Sequence, residues 1–175
     1  INEKIRPFYW RTNKKGLNVP PAEDDNIFEI TPSKEQEQLA TIIHEIETNV
    51  LARYIRLLQA STNPALLTEK IDLNNLGFLF DEIDFSVEGA LDSKEIAEAK
   101  QKTYFDLNVG SIKTPKFEKG MQLIRQLVSE GKKVIVWGMF VGTMRKIHQE
   151  LNNDGIFSHL IYGATPKDDR VDLIN

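Results

Sequence analysis

The chain has 175 residues, 41% of them apolar and 27% charged, with 10 glycines and 7 prolines. That is ordinary globular composition, which excludes collagen-like, low-complexity and wholly disordered chains and fits one domain or two small ones. No apolar run approaches the roughly 20 residues of a membrane helix, and no basic-then-apolar leader is present, so the expectation is a cytoplasmic protein without a membrane partner. The absence of cysteine rules out disulfides, thiol nucleophiles and cysteine-ligated zinc.

The net charge of -4 argues against a general polyanion binder, but the charges are patterned. Lys4, Arg6, Arg11, Lys14 and Lys15 form a block without an acid. Residues 22–47 then hold eight acids against Lys34 alone. Residues 72–98 repeat that ratio, with eight acids against Lys94, and from Lys113 to Lys133 the balance turns basic.

In chain order, Asn26-Ile27-Phe28-Glu29-Ile30 alternates polar and apolar residues, as a half-buried strand does. Ser33 and Gln36 have capping-box spacing and open a helix carrying Leu39, Ile42, Ile43, Ile46 and Val50. The pattern renews through Tyr54, Ile55, Leu57 and Leu58 and stops at Asn63-Pro64, so two helices or one long bent one fill 33–61. Residues 68–92 fit neither period and read as a short helix and loop. Asp92 and Glu95 predict a helix to about Lys102, and 103–113 reads as a linker.

Thr114-Pro115 starts a helix with Phe117, Met121, Ile124, Leu127 and Val128 on one stripe, ended by Gly131. Lys133-Val134-Ile135-Val136-Trp137 reads as a parallel strand covered on both faces. A helix with Met144, Ile147 and Leu151 follows, closed by Asn153-Asp154-Gly155. Phe157 to Tyr162 reads as a second strand, Gly163-Ala164 as a turn, and Thr165-Pro166 with Asp168 as the start of a last helix. This βαβ order predicts an α/β fold with a parallel sheet. The start at Ile1 and the stop inside an apparent helix predict a piece of a larger protein.

Chemistry-bearing motifs are sparse. There is no glycine-rich phosphate loop with Lys-Ser/Thr and no Asp-Glu box after a strand; Asp81-Glu82 falls in the irregular segment. His44, His148 and His159 lack metal-ligand spacing. The residues alone contain no complete catalytic site.

An ordered set of segments nevertheless resembles the Swi/Snf-type ATPases, a branch of the superfamily-two helicase-like DNA translocases. The set is Pro7-Phe8-Tyr9-Trp10-Arg11-Thr12-Asn13-Lys14, then Val19-Pro20-Pro21, then the 26–30 segment with Gln36 and Gln38. Asn63-Pro64-Ala65-Leu66-Leu67 follows, then Thr114-Pro115-Lys116, Lys133–Trp137, and Gly163-Ala164-Thr165 with Arg170. The match covers most of 6–67 and 114–175. Thr12, Asn63 and Gly138-Met139-Phe140 depart from the family pattern, and 68–113 matches nothing in it.

The resemblance implies an inter-lobe connector and strand over 1–30, a helical protrusion over 31–110, and the start of a second RecA-like lobe, a truncated parallel sheet, over 111–175. It also implies a parent that hydrolyses ATP with Mg²⁺ and translocates on double-stranded DNA, using motifs absent from this chain. The chain alone is then expected neither to bind ATP well nor to hydrolyse it.

By the same resemblance, Gly142, Thr143, Gly163 and Thr165 would face the DNA backbone, with Lys14 and Lys15 in reach of it. Glycine permits close approach, and a helix start with a threonine hydroxyl offers donors to a phosphate. Thr165 equally suits a helix cap. Arg11 and Arg170 would lie near the lobe interface, though Arg170 also suits a surface pair with Asp169 or Asp172. Phe8, Tyr9 and Trp10 read as core anchors of the connector. A two-strand sheet would expose its edge and take cover from the 33–61 helices or from a second copy of the chain. Two rival readings are a non-motor helical interaction module joined to a degenerate α/β domain, and the motor subunit of a restriction-type system.

Overall fold

Ser33 opens the first helix, α1 (Lys34–Ile46), with a full capping box: its hydroxyl accepts the Gln36 N–H at 3.3 Å, and Gln36 Oε1 accepts the Ser33 N–H at 3.2 Å. The computed structural model describes residues 24–71 and 93–174. The helix is interrupted at 47–49, and the side chain of Asn49 accepts the Ala52 N–H to begin α2 (Val50–Thr62). The region 33–61 is therefore two helices. Asn63-Pro64 ends α2 as expected and leads into a 3₁₀ turn, Pro64–Thr68.

Ser33 caps α1, and the helix carries a second tie to α2. The buried Gln36 amide donates to the carbonyls of Ala60 at 3.0 Å and Ser61 at 3.4 Å, pinning the end of α2 to the start of α1. Leu39 and Ile43 of α1 pack with Ala60, Leu67, Tyr104 and Val109 in one core. Tyr104 and Val109 fall in the segment read as a linker. Instead α3 (Lys94–Asp106), capped by Ser93, runs past Lys102, and Asn108 at φ 50° turns the chain into a short 3₁₀ turn, Val109–Ser111.

Glu47, at the end of α1, is the polar centre of this helical unit. Only 2% exposed, its carboxylate accepts from Lys100 Nζ at 2.8 Å and from the Tyr104 hydroxyl at 3.0 Å, and the Arg56 guanidinium lies 3.7 Å away. Arg56 also donates to the carbonyls of Leu66 and Glu69, so one charge cluster joins α1, α2, α3 and the 3₁₀ turn.

Pro115 occupies the first turn of α4 (Pro115–Ser129), and Thr114 donates its hydroxyl to the Thr62 carbonyl at 3.0 Å. Met121 and Ile124 of α4 pack with Leu151 of α5 (Val141–Asn153), and Phe117, Val128, Val134, Val136, Ile147 and Ile156 close around them. Both helices end in Schellman turns. Gly131 at φ 74° donates to Val128 O and Lys132 N–H to Leu127 O; Gly155 at φ 73° donates to Asn152 O and Ile156 N–H to Leu151 O. Ile156 then folds back on Leu151, the hydrophobic contact that usually accompanies this turn. The last helix, α6, is Lys167–Ile174.

The expected α/β fold is not what forms. Among the described residues there is no strand at 26–30, 133–137 or 157–162, hence no parallel sheet and no RecA-like lobe. The period-two alternation survives: Val134 and Val136 turn inward while Ile135 and Trp137 stand 80% and 91% exposed. A strand, however, needs a ladder from a neighbour. Among the described residues no backbone hydrogen bond engages 133–137 or 157–161. The apolar run read as covered on both faces is covered on one, by α4 and α5. Its far end, Met139-Phe140, packs on Leu51 and Ile55 of α2. No helix among the described residues is long and apolar enough to cross a membrane.

Candidate phosphate-binding cleft

The start of α5 is the chemically open end of this fold. Phe140 precedes it without a side-chain cap, and the first turn contains no acid. The N–H groups of Val141, Gly142 and Thr143 have no partner inside the helix, because the first intrahelical bond runs from Met144 N–H to Phe140 O. The positive end of the helix dipole is thus uncompensated by its own side chains.

Gly142 sits where a side chain would have to displace Leu66. A Cβ there would lie 2.5 Å from Leu66 Cδ2, so the 3₁₀ turn presses directly on the first turn of α5. Beside this contact opens a cleft of about 850 Å³. Gln59, Asn63, Glu69 and Lys70 form one wall, and Gly142, Arg145, Lys146, Gln149, Glu150, Tyr162 and Ala164 the other. Three cations face two carboxylates around it. Asn63 is 4% exposed, and its Oδ1 has no hydrogen-bond partner.

The far lip of the cleft is the turn at 162–165. Thr165 Oγ1 accepts the Tyr162 N–H at 3.0 Å, and Thr165 N–H returns to Tyr162 O at 2.9 Å. Arg170 clamps the turn from behind, donating to the carbonyls of Thr165, Gly163 and Tyr162. Arg145 ties the turn to α5: its guanidinium reaches the Tyr162 hydroxyl at 3.3 Å and lies 5.4 Å from the ring centroid.

Of the residues singled out by sequence, Gly142 lines the cleft, and Gly163 and Thr165 belong to the turn at its lip. Thr143 is buried at 8% exposure, and its unpartnered hydroxyl lines a separate apolar cavity. Arg170 holds the turn by its carbonyls and makes no ion pair with Asp169 or Asp172. Arg11, Lys14 and Lys15 lie outside the described residues, as do Asp81 and Glu82. Lys70, Arg145, Lys146 and Gln149 escaped the sequence reading.

Two of the histidines contact neighbouring side chains. His148 accepts from Asn152 Nδ2 at Nε2, which leaves Nδ1–H to donate to Ser158 Oγ at 2.8 Å and pins α5 to the 156–162 segment. His159 stacks edge-on against Phe157. Among the described residues no cluster of histidine and carboxylate side chains suits a metal ion. No protein-family model, curated protein or solved structure matches this chain.

Proposed function

We propose that this chain is part of a Swi/Snf-type, ATP-driven DNA translocase and that its role is to grip the phosphate backbone of double-stranded DNA at the α5 cleft. One observation carries the reading: the two glycine-containing turns that resemble the family's DNA-facing loops, at 142 and 163–165, meet at a single cleft. Arg145, Lys146 and Lys70 surround it. Backbone N–H groups at an uncompensated helix start and flexible cations are the usual means of holding phosphates without reading sequence. ATP hydrolysis is assigned to parts of the parent that carry the phosphate-loop and Asp-Glu motifs, and this helical chain contributes grip. The motif series supports the family assignment, although two of its members, 26–30 and Lys133–Trp137, form no strand here.

A second reading, a helical interaction module without motor activity, draws on a different observation. Ile135, Trp137 and Phe157 are each more than three-quarters exposed, which favours contact with another polypeptide, a second copy of the chain included.

Fluorescence anisotropy of the 175-residue chain with a labelled duplex, across a salt series, separates the two. About 2–4 phosphate contacts should give weak binding whose log K falls with log salt at a slope of roughly -2 to -4, and R145A/K146A should reduce the slope by about 2. Binding that is absent, or unmoved by the double substitution, overturns the cleft reading and favours the interaction module.

A further inference from the structure

Behind the first turn of α5, on the side away from the cleft, lies a second, partly open cavity of about 300 Å³ between α2, α4, α5 and the 136–140 segment. Its character is unlike that of the cleft. All three methionines of the chain, Met121, Met139 and Met144, line it, together with Phe117, Trp137 and Phe140. No acid lines it, and Lys116 is the one cation among its lining residues.

One polar group within it has nowhere else to go. Thr143 is more than nine-tenths buried, and its Oγ1 has no hydrogen-bond partner in the structure. A helical threonine normally returns its hydroxyl to the carbonyl four residues back, here Met139 O, and that bond is not made. The hydroxyl is left with the cavity it lines.

We infer that this cavity is a binding site for a small, flat, uncharged aromatic molecule of two fused rings carrying one hydrogen-bonding group, which the Thr143 hydroxyl meets. Size sets the limit: dry apolar cavities of about 150 Å³ accommodate a single benzene ring, so twice that volume takes two fused rings and excludes a helix or strand of another protein. Thioether sulfurs and aromatic edges favour a π-face over a branched aliphatic. The missing carboxylate partner argues against a cation, and the one lining cation, Lys116, is solvent-exposed, which weakens its hold on a full negative charge. The inference is independent of the DNA reading, since no cleft cation lines this cavity.

The test uses the methionine methyl groups as reporters, because all three face the site. In ¹³C-methyl-methionine NMR of the full chain, 2-naphthol should shift all three resonances saturably, and naphthalene should bind about five-fold more weakly for want of the hydroxyl contact. Thr143→Val should abolish that preference while leaving naphthalene binding unchanged. Should that variant fail to fold, the comparison of 2-naphthol with naphthalene on the wild-type chain carries the test alone. No saturable shift at millimolar probe, or equal affinity for the two probes on the wild-type chain, overturns the inference.

Discussion

Replacing Glu47 by glutamine tests whether the helical unit is held by its buried charges. The carboxylate is 2% exposed and faces Lys100 and Arg56, whose side chains are 11% and 6% exposed. Glutamine preserves the volume and an acceptor for the Tyr104 hydroxyl, so the change removes one negative charge from among two positive ones. Breaking a buried pair from one side costs about 3–5 kcal/mol, because the remaining charge stays desolvated. Lys100 can swing its ammonium toward water, which brings the expectation to the lower end, about 3 kcal/mol. For a chain of this size that lowers Tm by about 6–12 °C. Urea unfolding followed by circular dichroism measures it directly. The effects of Lys100→Met and Glu47→Gln should be non-additive by at least about 1 kcal/mol, since the two side chains share one buried contact. If Glu47→Gln unfolds within about 0.5 kcal/mol of wild type, the cluster is not what joins α1, α2 and α3.

Ile124, 7% exposed in the core between α4 and α5, should cost about 2–4 kcal/mol when cut to alanine; calorimetry showing an unchanged melting temperature would remove α4 from the core. Native-state hydrogen exchange should find the amides of 133–137 and 157–161 unprotected while those of 121–128 in α4 exchange slowly. Protection of the two extended segments equal to that of α4 would mean that a β-ladder forms after all.

The sequence disclosed the helices wherever a local device announces them. Ser33 with Gln36, Asn63-Pro64, Thr114-Pro115 and the glycines at 131 and 155 all act within four residues of themselves, and each sits at the boundary it signals. The residue at the start of α3 was displaced by one, because Asp92 and Ser93 both suit a cap and it is Ser93 whose hydroxyl accepts the Ile96 N–H. Tyr104 and Val109 were missed as core for another reason. Phe105 and Leu107 stand beside them and stay exposed, so which of these apolar residues is buried depends on α1 and the 3₁₀ turn, some forty to seventy residues away in sequence. The sheet failed on the same ground. Alternation at 134–137 is a property of the segment and is present; pairing is a property of two segments and is not.

The candidate site shows how far spacing reaches when the face of a helix is left out. Sequence adjacency reads Gly142 and Thr143 as one phosphate-facing pair, yet consecutive residues on an α-helix point about 100° apart. Their backbone N–H groups can serve one ligand, but their side-chain positions cannot. Gly142 turns to the cleft and to Leu66, where its missing side chain lets the 3₁₀ turn approach; Thr143 turns its hydroxyl into the apolar cavity behind. Following Gly142 along its own face, at three, four and seven residues on, leads to Arg145, Lys146 and Gln149, and all three line the cleft. That stripe of two cations and an amide behind a glycine was open to reading in the sequence, at the spacing that had already been applied to apolar residues. Arg145 gains its place only from Tyr162, seventeen residues later, so the lip of the cleft needed the folded chain while its floor did not.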